Sequence, residues 1–251
     1  MGKEHFPRGL IQPEGSFRFS IDALLLARFC TPGRGQRIID LGCGCGVAGL
    51  SVLLREEHTQ LTGVDIQPDL VDAAGQNAAT LGLSERFTPL CADMEQLFVD
   101  GAGVGAGFDL ALANPPYRLL SQGRLPQEES RRLALFGDER TLALFCGAAG
   151  RALKNRGRFC CIMVAARLSD LVLALANARL GLRKLLPVYP KQGEPACLVL
   201  VEAQKNCASD TVTLPPLVLY GGLGLTAEAL AFCPELACND RVDRGDFPSA
   251  Y

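Results

Sequence analysis

Short apolar runs alternate along the chain with longer stretches whose apolar positions recur every three to four residues. The runs Gln36 to Leu41, Gln60 to Asp65, Phe87 to Cys91, Phe108 to Ala113 and Arg158 to Ala165 predict strands. The stretches Val47 to Glu57, Pro68 to Leu81 and Thr141 to Leu153 predict the intervening helices. Pro68 suits a first helical turn and Gly82 the end of that helix. Leu168 to Leu180 predicts a further helix, closed by Gly181. Arg183 to Tyr189 and Ala196 to Glu202 predict two more strands, joined through Pro190 to Pro195 in a hairpin-like connection. Before the first strand, Ser20 to Phe29 reads as a short apolar helix with Ser20 as N-cap. The tail holds an apolar run, Leu214 to Tyr220, and a helical pattern, Thr226 to Phe232. Gly101 to Gly107 reads as a surface loop. Strands and helices in alternation, then an antiparallel-capable pair, predict a doubly wound α/β sheet with helices on both faces.

Composition narrows the function classes. Of 251 residues, 48% are hydrophobic, enough for a substantial core. The net charge of −2 lacks the basic excess of a typical nucleic-acid binder, so any RNA contact must come from a local patch. The 11 cysteines include no Cys-x-x-Cys, and only two histidines are present, so a zinc site is not expected. Neither a signal-peptide h-region nor an 18-residue apolar run is present, and the cysteine usage fits a reducing cytoplasm without a membrane span.

Candidate chemistry collects at the ends of the predicted strands. After the first comes Asp40-Leu41-Gly42-Cys43-Gly44-Cys45-Gly46, with three glycines at alternate positions before a helix. Glycine lets the backbone turn or lie directly against a ligand, and the helix start offers free N–H groups. Cys43 and Cys45 read as small fillers there. Asp65 ends the second strand, where an acid can accept both hydroxyls of a ribose. Asp93 follows the third strand, and Asn114-Pro115-Pro116-Tyr117 follows the fourth. Ligands of open α/β sheets bind at such strand ends. The Asn114 side-chain oxygen and the Pro115 carbonyl can each accept one hydrogen of a planar –NH2 group. Pro115 and Pro116 stiffen that carbonyl, and Tyr117 offers a stacking face. A dinucleotide dehydrogenase would share the glycine loop but has no need of Asn-Pro-Pro-Tyr.

This combination of glycine loop, Asp65, Asp93 and Asn-Pro-Pro-Tyr resembles the class I S-adenosylmethionine-dependent methyltransferases, over roughly Gln36 to Glu202. The resemblance implies a Rossmann-like seven-stranded sheet with an antiparallel last strand. It implies a helical lead-in at 1–35, a methyltransferase domain at 36–203, and an extension at 204–251 packed on the same domain. The cofactor would be S-adenosylmethionine, cradled by Gly42, Gly44 and Gly46, with Asp40 orienting the loop or meeting the amino group. Asp65 would take the ribose, Asp93 the adenine amine, and Ile66 and Met94 would flank the adenine ring. Asn114, Pro115 and Tyr117 would be catalytic, with Pro116 and Tyr117 also facing the acceptor. Phe17 to Ala27 and the stretch Pro216 to Glu228 further resemble bacterial tRNA adenine-N6 methyltransferases. By that resemblance Ser20 and Asp22 lie near the cofactor, and tRNA is the partner. Arg118, Arg124, Arg131 and Arg132 stand downstream of the motif to meet phosphates, although the acidic balance and a loose match at Arg131 to Asp138 depart from that family. Release-factor glutamine methyltransferases share Asn-Pro-Pro-Tyr and are the alternative, but only 39 residues precede Asp40, too few for their helical substrate domain. A non-catalytic member of the fold that binds RNA or protein is the third reading.

Overall fold

The computed structural model describes residues 9–13, 21–98, 105–116, 139–222 and 224–238. Among them one sheet contains β1 (Arg37–Leu41), β2 (Gln60–Asp65), β3 (Phe87–Cys91), β4 (Phe108–Ala113) and β5 (Leu153–Val164). It continues with β6 (Leu180–Lys191), β7 (Leu198–Lys205), β8 (Val212–Thr213), β9 (Leu217–Gly221) and β10 (Gly224–Leu225). The order is β10-β9-β6-β7-β5-β4-β1-β2-β3, with β8 also paired to β6. Strands β1 to β5 run parallel, and β7 lies antiparallel between β5 and β6. The expected seven-stranded sheet with an antiparallel last strand is therefore present. Beyond it, β9 adds in parallel to β6, and the two-residue strands β8 and β10 are too short to leave a periodic signal.

Helices α1 (Ile21–Phe29), α2 (Val47–Arg55), α3 (Pro68–Thr80), α4 (Glu139–Ala152), α5 (Leu168–Asn177) and α6 (Ala227–Phe232) flank the sheet. On one face Ile38, Leu110, Leu112, Cys160 and Ile162 pack with residues of α1, α2 and α3. On the other, Ile39, Leu41, Ala111, Ala113 and Cys161 pack with Leu142 and Phe145 of α4 and Leu171 and Leu175 of α5. Burial on both faces explains why β1 and β4 read as continuous apolar runs.

Two boundaries differ from the sequence reading for identifiable reasons. Leu153 pairs with Phe108 of β4, and the next pair is Arg158 with Leu110, so residues 154–157 bulge out within β5. The stretch left between the expected helix, which ends at Leu153, and the strand expected from Arg158 is that bulge. At the end of α5 it is Arg179, not Gly181, that takes the left-handed conformation (φ 58°). Gly181 lies inside β6, where a Cβ would run into the backbone of Cys207 and Ala208. Its role is close approach of two chains rather than helix closure.

Candidate active site

Strand register brings the predicted residues to one edge. Leu41 is level with Val64 of β2 and with Ala113 of β4, so Gly42, Asp65 and Asn114 emerge side by side. With strands about 4.8 Å apart, Asp65 and Asn114 stand roughly 10 Å from each other across β1. Gly42 and Cys43 donate their N–H groups to the Val64 carbonyl (2.8 and 2.9 Å), which fixes the start of the loop. Gly42, Gly44 and Gly46 all have positive φ (69°, 55° and 88°). At Gly42 a Cβ would lie 2.9 Å from the Phe145 ring of α4, while at Gly44 it would meet open space. The backbone at Gly44 is thus bare, with open space beside it.

Asp40, 2% exposed, reaches from β1 to the third residue of α2: the Gly49 N–H donates to its Oδ2 (3.0 Å). The N-cap position itself is Gly46, which has no side chain to offer. Asp40 supplies that cap from the neighbouring strand. Asp65, 7% exposed, accepts from Gly44 N–H at Oδ2 (2.9 Å) and from Gln67 N–H at Oδ1 (3.0 Å). The Ile66 N–H adds to these, and the carboxylate retains accepting capacity beyond its backbone bonds. Burial pushes the Asp40 carboxyl up to about 7; the Gly49 hydrogen bond opposes this and the Asp65 charge adds to it. Burial raises Asp65 as well, against its backbone hydrogen bonds. Neither carboxylate has a cationic partner among the described residues.

Around these acids, Ile66 is 56% exposed at the end of β2, an apolar surface left open beside the loop. Met94 is half-buried, its Cε close to Gly42. Asp93 accepts from the Glu95 N–H (2.8 Å), as an aspartate that opens a turn does. Asn114 directly follows β4, and its buried Oδ1 finds no hydrogen-bond partner among the described residues. An amide oxygen in that condition costs about 1–3 kcal/mol unless a ligand completes it. Pro115 is buried and Pro116 half-buried. Asp22 is fully buried in the first turn of α1, near enough to Cys197 and Tyr220 to feel their charge states. Ser20, Tyr117, Arg118, Arg124, Arg131 and Arg132 lie outside the described residues. Cys43 and Cys45 are buried, Cys43 against Gly63, and burial holds both thiols protonated.

Asn77 of α3 escaped the sequence reading. It is fully buried, donates to the Cys45 carbonyl (2.9 Å), and exchanges hydrogen bonds with the backbone of Ile11. A polar residue on the apolar stripe Ala73-Ala74-Asn77-Ala78 is the signal that marks it.

The residues present fit a cationic, nucleoside-bearing cofactor: two buried acids without counterions, a bare glycine backbone, an open apolar face at Ile66 and an orphan amide oxygen. The methyltransferase small domain family model matches residues 20–128. A tRNA1(Val) (adenine(37)-N6)-methyltransferase of Enterobacter sp. (strain 638) is 25% identical over 197 residues, 71% of this chain and 78% of that protein. A release factor glutamine methyltransferase of Chlorobaculum tepidum is 38% identical over 96 residues, 38% of this chain; the match spans about a third (32%) of that protein. A crystal structure from Agrobacterium tumefaciens, described as a predicted O-methyltransferase, shares the fold with a TM-score of 0.70 at 23% identity, over 85% of this chain and 96% of that one. The chain has the fold of the class I methyltransferases, and its likenesses point to an S-adenosylmethionine-dependent methyltransferase with S-adenosylmethionine as cofactor. Over most of its length it is similar to the tRNA adenine-N6 enzymes. Among the described residues no helix is long and apolar enough to cross a membrane, and no cluster of metal-ligating side chains occurs.

Proposed function

We propose that the enzyme methylates adenine N6 in a tRNA. The observation that carries this reading is the buried, unpartnered Oδ1 of Asn114 at the end of β4, followed by the stiffened Pro115 carbonyl. Two acceptors at that point suit the two hydrogens of a planar amine and hold its lone pair free. Holding the reacting nitrogen in place is a positioning effect, which lowers barriers substantially. S-adenosylmethionine, when bound, supplies an electrophilic methyl group. Gly42, Gly44 and Gly46 would cradle its amino-acid and ribose part. Asp65 would take the ribose hydroxyls on its remaining lone pairs, Asp93 the adenine amine, and Ile66 and Met94 the two sides of the ring. Asp40 ties β1 to the first turn of α2 and would lend negative charge to the cofactor's cationic end. Tyr117 would stack on the acceptor base, and Arg118, Arg131 and Arg132 would meet phosphates. No strong base is required, because the nitrogen becomes acidic once alkylated.

The same motif serves a glutamine amide, and the 38% identical relative is a release factor methyltransferase. That likeness covers 96 residues, whereas the likeness to the tRNA enzymes extends over 197. The longer reach supports RNA. The test offers labelled S-adenosylmethionine with unfractionated tRNA in one tube and recombinant release factor in another, followed by nucleoside and amino-acid analysis. Label in N6-methyladenine is expected. Label in glutamine alone would replace this reading with the protein substrate.

A further inference from the structure

The opposite end of the sheet gathers arginines and lysines, although the whole chain carries a net charge of −2. Arg34 and Arg37 lead into β1, Lys154, Arg156 and Arg158 open β5, and Arg179 precedes β6. They belong to one surface. Arg158 donates to the Thr31 carbonyl (2.8 Å), tying the loop before β1 to β5. Arg37 N–H and the Lys154 ammonium both engage Asp109. The Arg156 carbonyl accepts from Gln204 (2.9 Å), and the Arg179 carbonyl accepts from Asn206 N–H (2.9 Å), both from the end of β7. Of the acids within this surface, Asp109 is committed to Lys154 and Glu202 to Arg158 and Lys184, while the exposed Asp210 reaches Arg183 at 3.8 Å. Glu56, Glu57 and Glu85 share this end of the sheet but lie toward β2 and β3. Arg34, Arg156 and Arg179 are exposed and have no acid partner among the described residues.

Backbone geometry adds a second, independent mark. Arg156 and Arg179 both occupy the left-handed region (φ 61° and 58°), where glycine or asparagine sits with least strain. Turn geometry does not call for a long cation at either place. Two neighbouring tight turns therefore present arginine at positions that their conformation disfavours.

Resting on the RNA reading above, we propose that this basic end, centred on Arg34, Arg156 and Arg179, docks phosphates of the RNA while the target base occupies the Asn114 edge. The six residues of β4 separate the two ends by roughly 20 Å. An acceptor that touches both is an RNA long enough to span the sheet, not a single nucleotide. Uncommitted arginines on a surface are suited to phosphodiesters, which they meet in bidentate fashion.

The test is a triple variant, Arg34→Gln, Arg156→Asn and Arg179→Asn, in which asparagine keeps the turns relaxed. Affinity for unfractionated tRNA is measured against salt concentration, beside S-adenosylhomocysteine affinity and thermal stability. Each lost phosphate contact removes roughly 0.7–0.9 from the log–log salt slope, so a fall of about two is expected. Cofactor affinity and melting temperature should hold. An unchanged slope in the folded variant overturns the docking surface, as does wild-type protein that binds no tRNA. Methylation by the wild type is read separately. If tRNA is methylated while the slope is unchanged, only the docking surface falls; if no nucleoside is labelled, the RNA reading itself falls.

Discussion

The two ends of the sheet treat charge in opposite ways. At the Asn114 edge, Asp40 and Asp65 are buried, without cationic partners, and held by backbone N–H groups. At the other edge the charges are mostly arginines and lysines, several of them open to water, and the buried acid there, Glu202, is paired with Arg158 and Lys184. A carboxylate in a low-dielectric pocket resists ionisation, whereas an exposed ion pair is screened by solvent. The same unit of charge is therefore worth several times more at the first edge. That edge is poised for a small cation, and the second for a large, hydrated polyanion.

Four substitutions break or sharpen this contrast. The largest effect belongs to Asp40. Its folded-state pKa, about 7, stands above the unfolded value of 3.8. The native state then binds the proton more tightly, so Asp40 erodes stability as pH rises from about 4 through 7. Across that window the loss is on the order of 4 kcal/mol. Asp40→Asn retains an acceptor for Gly49 and should flatten the loss; denaturant titrations of both proteins at pH 4 and pH 8 would read the difference. Parallel curves at both pH values would show that the carboxylate is solvated after all.

Asn114→Ala comes next. It should lower kcat by about a hundredfold or more while leaving cofactor affinity nearly intact. Single-turnover assays at saturating acceptor decide this, and normal turnover would remove Asn114 from the chemistry. Asp65→Ala should raise the cofactor dissociation constant by roughly tenfold, from loss of a charge-assisted hydrogen bond. It should also lower the melting temperature, because Gly44 and Gln67 lose their acceptor. Calorimetry that returns an unchanged constant would reduce Asp65 to a turn residue. The smallest effect is Lys154→Ala at the basic end. Lys154 is 55% exposed, and breaking its pair with Asp109 should cost less than about 1 kcal/mol. A loss of several kcal/mol, measured by chemical denaturation, would mean that the two ends do not differ as described.

Much of this arrangement is legible in the sequence, and the exceptions are tertiary. The strands that end at Leu41, Asp65 and Ala113 are short, buried over most of their length and bounded by turn residues, so local pattern suffices to place them, and the exposed edge strand that ends at Cys91 is equally short and bounded. Their parallel order then brings the glycine loop, Asp65 and Asn114 together. Long-range effects hid the rest. Nothing local shows that Asp40 caps a helix from the next strand, or that Gly181 is required by the backbone at Cys207. Gly181 looked like a helix stop because glycine is the common solution there, yet Arg179 fills that position. The basic end was invisible for the same reason: its arginines are scattered over the sequence and meet only through the sheet.

The carboxamide of Asn77 couples events that chain order keeps apart. It holds the backbone of Ile11 in both directions and the Cys45 carbonyl of the glycine loop. Any ligand that steadies the loop also steadies the segment around Ile11, and cleavage of that segment is felt at the loop. Limited proteolysis near residues 9–13 is therefore a reporter of cofactor occupancy: saturating S-adenosylhomocysteine should slow the cut in the wild type and lose that protection in Asn77→Ala.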